Sequence, residues 1–137
     1  MPNKSDGAVT KRKRPKTLKA HITYLEMTSP LLRMSPVPTR PSVALISARN
    51  IPARYYSYLY ELGGKAHHWE ERRNMSPEDV FKKINSENCS ISILCADGCP
   101  AGFFELVWEN SPDEIEIKYM GLAPDYQGLG LGKWFVA

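Results

Sequence analysis

Three glycines at alternate positions, Gly128, Gly130 and Gly132, sit in the stretch Glu114–Ala137, EIEIKYMGLAPDYQGLGLGKWFVA. Without a Cβ, each lets backbone N–H groups approach a ligand closely. The run reads as a strand, a Pro-Asp turn, a glycine loop and the start of a helix. Amides at a helix N-terminus add to the positive end of the helix dipole, so the natural guest is an anion such as a phosphate or pyrophosphate.

Spacing separates the phosphate loops that share this physics. A Walker loop needs G-x-x-x-x-G-K-[ST]; Gly132-Lys133 would close it, but Gln127 stands where the first glycine belongs and Trp134 replaces the hydroxyl residue. A dinucleotide fingerprint needs a third glycine where Lys133 or Phe135 stands. The pattern that fits is Q-x-x-G-x-G, as Gln127, Gly130 and Gly132, after a strand ending Gly121-Leu122-Ala123-Pro124. This resembles the coenzyme A signature of the GNAT family, the GCN5-related N-acetyltransferases. The bland alternative is a glycine-rich turn without a ligand; the flanking strand and helix favour the signature.

The resemblance implies acetyl-CoA as cosubstrate, with Leu122 and Ala123 meeting the pantetheine arm. It implies a pyrophosphate loop made of Gln127, Gly128, Leu129, Gly130, Leu131, Gly132 and Lys133. It places Glu116, on the strand before the loop, where many family members keep a general base, with Glu114 as fallback. It also implies that backbone N–H near Leu122 polarises the thioester carbonyl. Acyl transfer to an amine needs a neutral nucleophile, a polarised carbonyl and a route for the proton. The alternative for both glutamates is a solvated strand carboxylate.

The elements that must position this loop can be read upstream. Ala20–Met27, AHITYLEM, alternates as a strand would. Pro30, Pro36, Pro38 and Pro41 then favour an extended connection. Val43–Ala48 is a short apolar strand. Pro52 to Leu62 has helical spacing in Tyr55, Tyr56, Leu59, Tyr60 and Leu62, with Gly63-Gly64 expected to stop it. That tyrosine stripe could line a pocket, although aromatic side chains at helical spacing more often belong to a core. Ser76-Pro77-Glu78-Asp79 marks a helix start with an N-cap serine and an N1 proline. Ser90–Ala96 and Ala101–Trp108 flank Asp97-Gly98-Cys99-Pro100 as a hairpin, and Asp113–Ala123 continues the antiparallel meander.

Apolar residues at 42% and charged ones at 24% are ordinary globular values, and the length suits one domain. Residues 1–17 carry Lys11-Arg12-Lys13-Arg14-Pro15-Lys16 and almost nothing apolar, which reads as a disordered basic arm. The arm has six Lys/Arg and one Asp, so of the net +3 it supplies +5 and leaves the rest at −2. A basic run can serve as a nuclear signal or touch nucleic acid, but no aromatic is interleaved for base stacking, and a solvated tail is the preferred reading.

Cys89, Cys95 and Cys99 are an odd set without secretory context, so reduced thiols are expected. His67-His68 have no partner at ligand spacing, so no metal is expected. No apolar run has membrane-spanning length and no signal peptide is visible, which points to a soluble, cytoplasmic chain.

The order of elements, with the resemblance, gives an α/β (α+β) fold: a GNAT-like, mostly antiparallel sheet flanked by helices. The expected organisation is the arm, residues 1–17, and a partial GNAT domain, residues 18–137. Family members continue past this helix into further strands, so the C-terminal strands are expected to be missing and the sequence looks truncated. The leading reading is an acetyl-CoA-dependent N-acetyltransferase acting on a small-molecule or peptide amine. A truncated CoA-binding module without turnover is the alternative, and a nucleic-acid-binding protein is a weaker third.

Overall fold

A computed structural model of the chain describes residues 17–30, 32–109, 111 and 113–137. The basic run Lys11–Lys16 lies outside the described residues. The chain divides after Pro30 into two units. In the first, residues 17–30 form no helix or strand. This overturns the strand expected at Ala20–Met27: no described strand pairs with it, and Ile22, Tyr24, Leu25 and Met27 stay exposed. Alternation supplies a face, but a strand also needs a hydrogen-bonding neighbour.

The second unit runs β1 (Val43–Ala48), α1 (Ala53–Gly64), α2 (Pro77–Ile84), β2 (Cys89–Ala96), β3 (Cys99–Val107), β4 (Glu116–Leu122) and α3 (Leu131–Val136). Short 3-10 turns intervene at Lys65–His67, Arg72–Asn74 and Pro124–Tyr126. The sheet has the order β1-β2-β3-β4, and every neighbouring pair is antiparallel. Asp97 and Gly98 both take positive φ, 48° and 83°, as the turn of a two-residue hairpin demands. Asp97 also holds the start of β1, its N–H donating to the Ser42 carbonyl and its carboxylate accepting from the Ser42 N–H.

Side-chain parity sends alternate strand residues to two faces. One face carries Ile91, Ile93, Phe103 and Tyr119 and is covered by α1 and α2, whose Tyr56, Leu59, Tyr60, Val80 and Ile84 are buried there. The other carries Leu94, Ala96 and Ala101, with Leu131 and Phe135 of α3 against them. Tyr56 and Tyr60 are therefore core, as a helical stripe suggests, whereas Tyr55 and Tyr58 are exposed.

The helix expected to end at Leu62 before Gly63-Gly64 takes in both glycines and ends on Gly64. Each is also needed for close approach. A Cβ on Gly121 of β4 would lie 2.7 Å from the Gly63 Cα, so helix and strand touch backbone to backbone. A Cβ on Gly64 would fall 2.2 Å from Trp69 Cε3, so the indole lies directly on that helical turn. The start of α2 is as expected, the Ser76 hydroxyl accepting from the Asp79 N–H at 3.2 Å.

Candidate functional site

The glycine loop joins β4 to α3. After Leu122 the chain makes the turn Pro124–Tyr126, Gln127 is extended, and Gly128 and Gly130 take φ of 76° and 78°. These values favour glycine, and the space where either Cβ would stand is open. Gly130 is the N-cap residue of α3, and no side chain caps the helix. Its first-turn amides thus lack a side-chain acceptor. Leu129 on the loop and Lys133 in the first turn of α3 are exposed, while Leu131 is fully buried and anchors α3 to the sheet. The Gln127 amide Nε2 donates to the Leu122 carbonyl at 3.1 Å, bracing the loop against the end of β4.

Among the described residues β4 is an edge strand. The Ala123 N–H donates inward to the Ala101 carbonyl at 2.8 Å, and the Ala123 carbonyl accepts from Tyr126. By the alternation of an antiparallel ladder, Leu122 and Met120 then direct their N–H groups to the open edge. The Leu122 N–H is thus available for edge pairing, while its carbonyl is held by Gln127. Ala123 is buried and both its backbone groups are engaged within the chain.

Glu116 is the first residue of β4, opposite Val107, with its carboxylate half exposed and 3.6 Å from the Lys118 ammonium. Leu122 lies six positions further on, roughly 20 Å of extended chain. Glu114 lies before the strand begins and is not part of the ladder. Between Glu116 and Leu122 the pairing slips: Glu105 faces Tyr119 and Leu106 faces Ile117, which leaves Lys118 as an extra residue. Such a bulge bends an edge strand and re-aims its side chains.

The sequence reading missed a polar group on the α1 and α2 face. Glu105, fully buried on β3, accepts from the Tyr56 hydroxyl at 2.5 Å and from Arg72 Nη2 at 2.5 Å. Burial, then the nearby Glu105 charge, pushes the Tyr56 hydroxyl well above its ordinary pKa. For Arg72, burial would lower the pKa, but the Glu105 charge and hydrogen bond outweigh it and the value rises. Glu71, next in sequence, accepts from the Tyr119 hydroxyl at 2.7 Å, and that bond leads the causes holding its carboxyl below the usual range. A carboxylate inside the apolar run Gly102-Phe103-Phe104-Glu105-Leu106-Val107 was the one visible signal. Nothing in the spacing tied it to Arg72.

Cys95 packs partly buried beside the first core, Cys99 is exposed at the hairpin, and burial pushes the Cys89 thiol up to about 12. No helix is long and apolar enough to cross a membrane, and no three His, Cys, Asp or Glu gather as a metal site, both among the described residues.

The model of the acetyltransferase (GNAT) family matches residues 48–137. A search of curated proteins finds no match. Among solved structures, an acetyltransferase from Thermus thermophilus is 15% identical, with TM-score 0.52 over 69% of this chain and 65% of that one. A functionally unknown conserved protein from Staphylococcus epidermidis is also 15% identical, with TM-score 0.53 over 72% of this chain and 38% of that one. The chain thus spans less than two thirds of either structure, and at these identities the likeness is one of fold.

Proposed function

The chain belongs to the acetyltransferase (GNAT) family, and from that membership we propose that it binds acetyl-CoA through Gln127–Lys133 and transfers the acetyl group to an amine. The observation that carries the reading is the uncapped start of α3 behind two left-handed glycines, at the open edge of β4. Those residues fit an anionic cofactor with a long arm. Loop amides suit the pyrophosphate, Lys133 adds a charge, and the edge-facing N–H groups of Leu122 and Met120 suit an extended amide-bearing arm. Bound there, acetyl-CoA would supply an activated thioester.

The chain's own groups have three tasks in this reading. Edge N–H groups of β4 donate to the acyl oxygen as charge develops on it. The Glu116 carboxylate takes the proton that the attacking amine sheds, directly or through one water. The Lys118 bulge aims that part of β4. Base and phosphate loop lie at opposite ends of the strand, as a cofactor with its reactive end on a long arm requires.

Calorimetry with CoA tests the binding half. Gly130→Asp adds a side chain at positive φ and a negative charge at the loop, so at least a tenfold loss of affinity is expected, about 1.4 kcal/mol or more. Unchanged affinity in a folded variant refutes the assignment. For the chemistry, Glu116→Gln is expected to lower kcat about a hundredfold with CoA affinity near normal.

A further inference from the structure

Arg72 serves two carboxylates: Nη2 lies 2.5 Å from Glu105 and Nη1 lies 3.2 Å from Glu71. Within this trio one cation meets two anions, a surplus of one negative charge. The surplus is at Glu71, whose side chain is 52% exposed, whereas those of Arg72 and Glu105 are 2% and 0% exposed. A carboxylate offers about four acceptor positions. Arg72 and the Tyr119 hydroxyl occupy two here, so Glu71 has room for more donors.

Beside it stand aromatic rings, of which Tyr119 already carries the Arg72 guanidinium over its ring, 5.3 Å from the centroid. The Trp69 and Tyr119 centroids are 5.0 Å apart, and Tyr60 closes the cluster at 5.3 and 5.1 Å. Trp69 is seated on Gly64, and its backbone N–H donates to the Gly64 carbonyl, so this wall exists before any ligand arrives. A half-exposed carboxylate beside aromatic rings recognises an organic ammonium ion, through charge-assisted hydrogen bonds and ring quadrupoles. The other cations acting on Glu71 are Lys118 and Lys83. Lys118 is itself paired with Glu116.

Tyr119 and Glu116 lie on the same strand three positions apart, roughly 10 Å along it. We infer that Glu71, with the rings of Trp69 and Tyr119, holds one ammonium group of an aliphatic diamine whose second nitrogen reaches toward Glu116. The inference rests on the transferase reading above for its chemistry. The amine near Glu116 loses its proton to that carboxylate and its lone pair attacks the acyl carbon. A new C–N bond forms and the C–S bond breaks, with the electron pair leaving on sulfur, while the nitrogen at Glu71 stays protonated.

The test titrates the full chain with 1,5-diaminopentane and 1-pentanol, following indole N–H resonances by NMR, while calorimetry measures CoA binding separately. The diamine is expected to bind at least tenfold more tightly than the alcohol and to perturb the Trp69 signal, assigned with Trp69→Phe. Glu71→Gln keeps an oxygen that can accept from Tyr119 but removes the charge, and is expected to lose at least tenfold in diamine affinity with CoA affinity unchanged. Equal binding of diamine and alcohol overturns the inference, as does undiminished diamine binding by Glu71→Gln. Should that variant fold poorly, salt decides on the unaltered chain: diamine affinity must fall as NaCl is raised, and a salt-independent affinity overturns the site. Diamine binding without CoA binding would refute the transferase reading and leave the cation site standing; the converse would refute the cation site alone.

Discussion

The two faces of the sheet are built on opposite principles. Under α1 and α2, large side chains interlock: Tyr56, Leu59, Tyr60, Ile91 and Phe103 are almost wholly buried, and the buried Glu105 carboxylate is paired with arginine and tyrosine. Under α3, a helix of six residues covers little, and beside it lies a cavity of about 340 Å³ lined by apolar residues including Leu45, Phe104, Leu106, Ile117, Met120 and Trp134. The first face takes its stability from side chains. On the second, the loop presents backbone, and the space where a Cβ would stand on Gly128 or Gly130 is open. The main core and the proposed CoA loop are thus divided between the faces, although the proposed ammonium site at Glu71 and Tyr119 lies with the first, and substitutions inside the first core are expected to leave CoA binding intact.

The strongest challenge to that division is Glu105→Ala. It leaves the buried Arg72 with only the half-exposed Glu71 carboxylate as an ion-pair partner, and a loss of about 3–5 kcal/mol is expected, read as an earlier urea midpoint. The variant's folded fraction should bind CoA as the unaltered chain does. A loss below about 1 kcal/mol would place the buried pair among weak surface pairs and dissolve the contrast. Gly64→Ala comes next: the added methyl collides with the Trp69 ring, and overpacking costs about 1–3 kcal/mol. Its signature is a shifted indole emission together with a lower melting temperature; an unshifted indole would mean that the ring is not seated as described.

Ser76→Ala removes the α2 cap and should cost about 1 kcal/mol, with no change in CoA affinity measured by calorimetry. The smallest effect concerns pH. The Tyr119 hydrogen bond depresses the folded-state pKa of Glu71. Its contribution is therefore fully present above the ordinary carboxylate value near 4.3 and is lost as pH falls through the folded value. Because the group is half exposed, screening limits it to about 0.2–1 kcal/mol. Thermal melts of the unaltered chain and Glu71→Gln should differ slightly at neutral pH and converge on acidification; a gap that widens in acid would contradict the sign.

Local sequence carried most of this architecture. Ser76-Pro77 marked α2, Asp97-Gly98 marked the hairpin, and Val43–Ala48 forms a strand as its apolar run implies. The glycine loop was legible because its requirement, absent side chains at fixed spacing before a helix, is itself a sequence pattern. Ala20–Met27 failed because alternation cannot reveal whether a pairing partner exists. Gly63-Gly64 marked the end of α1 to within two residues but hid a second role, since glycine marks close contact as well as termination. The Arg72–Glu105 pair spans 33 positions, and only folding brings them together. Lys118 as a bulge was equally hidden, since an extra residue is defined by the partner strand.

The contact of Gly63 with Gly121 makes α1 a ruler for β4. Sliding β4 by two residues would place Tyr119 or Ala123 where Gly121 now lies, and their Cβ atoms would run into the helix backbone. The strand therefore has one seat against α1, so the count from Gly121 to Gln127 fixes where the glycine loop opens. Tyr119, two residues before that seat, is indexed by the same contact to the side occupied by Glu71. A single pair of missing side chains thus calibrates both ends of β4 at once.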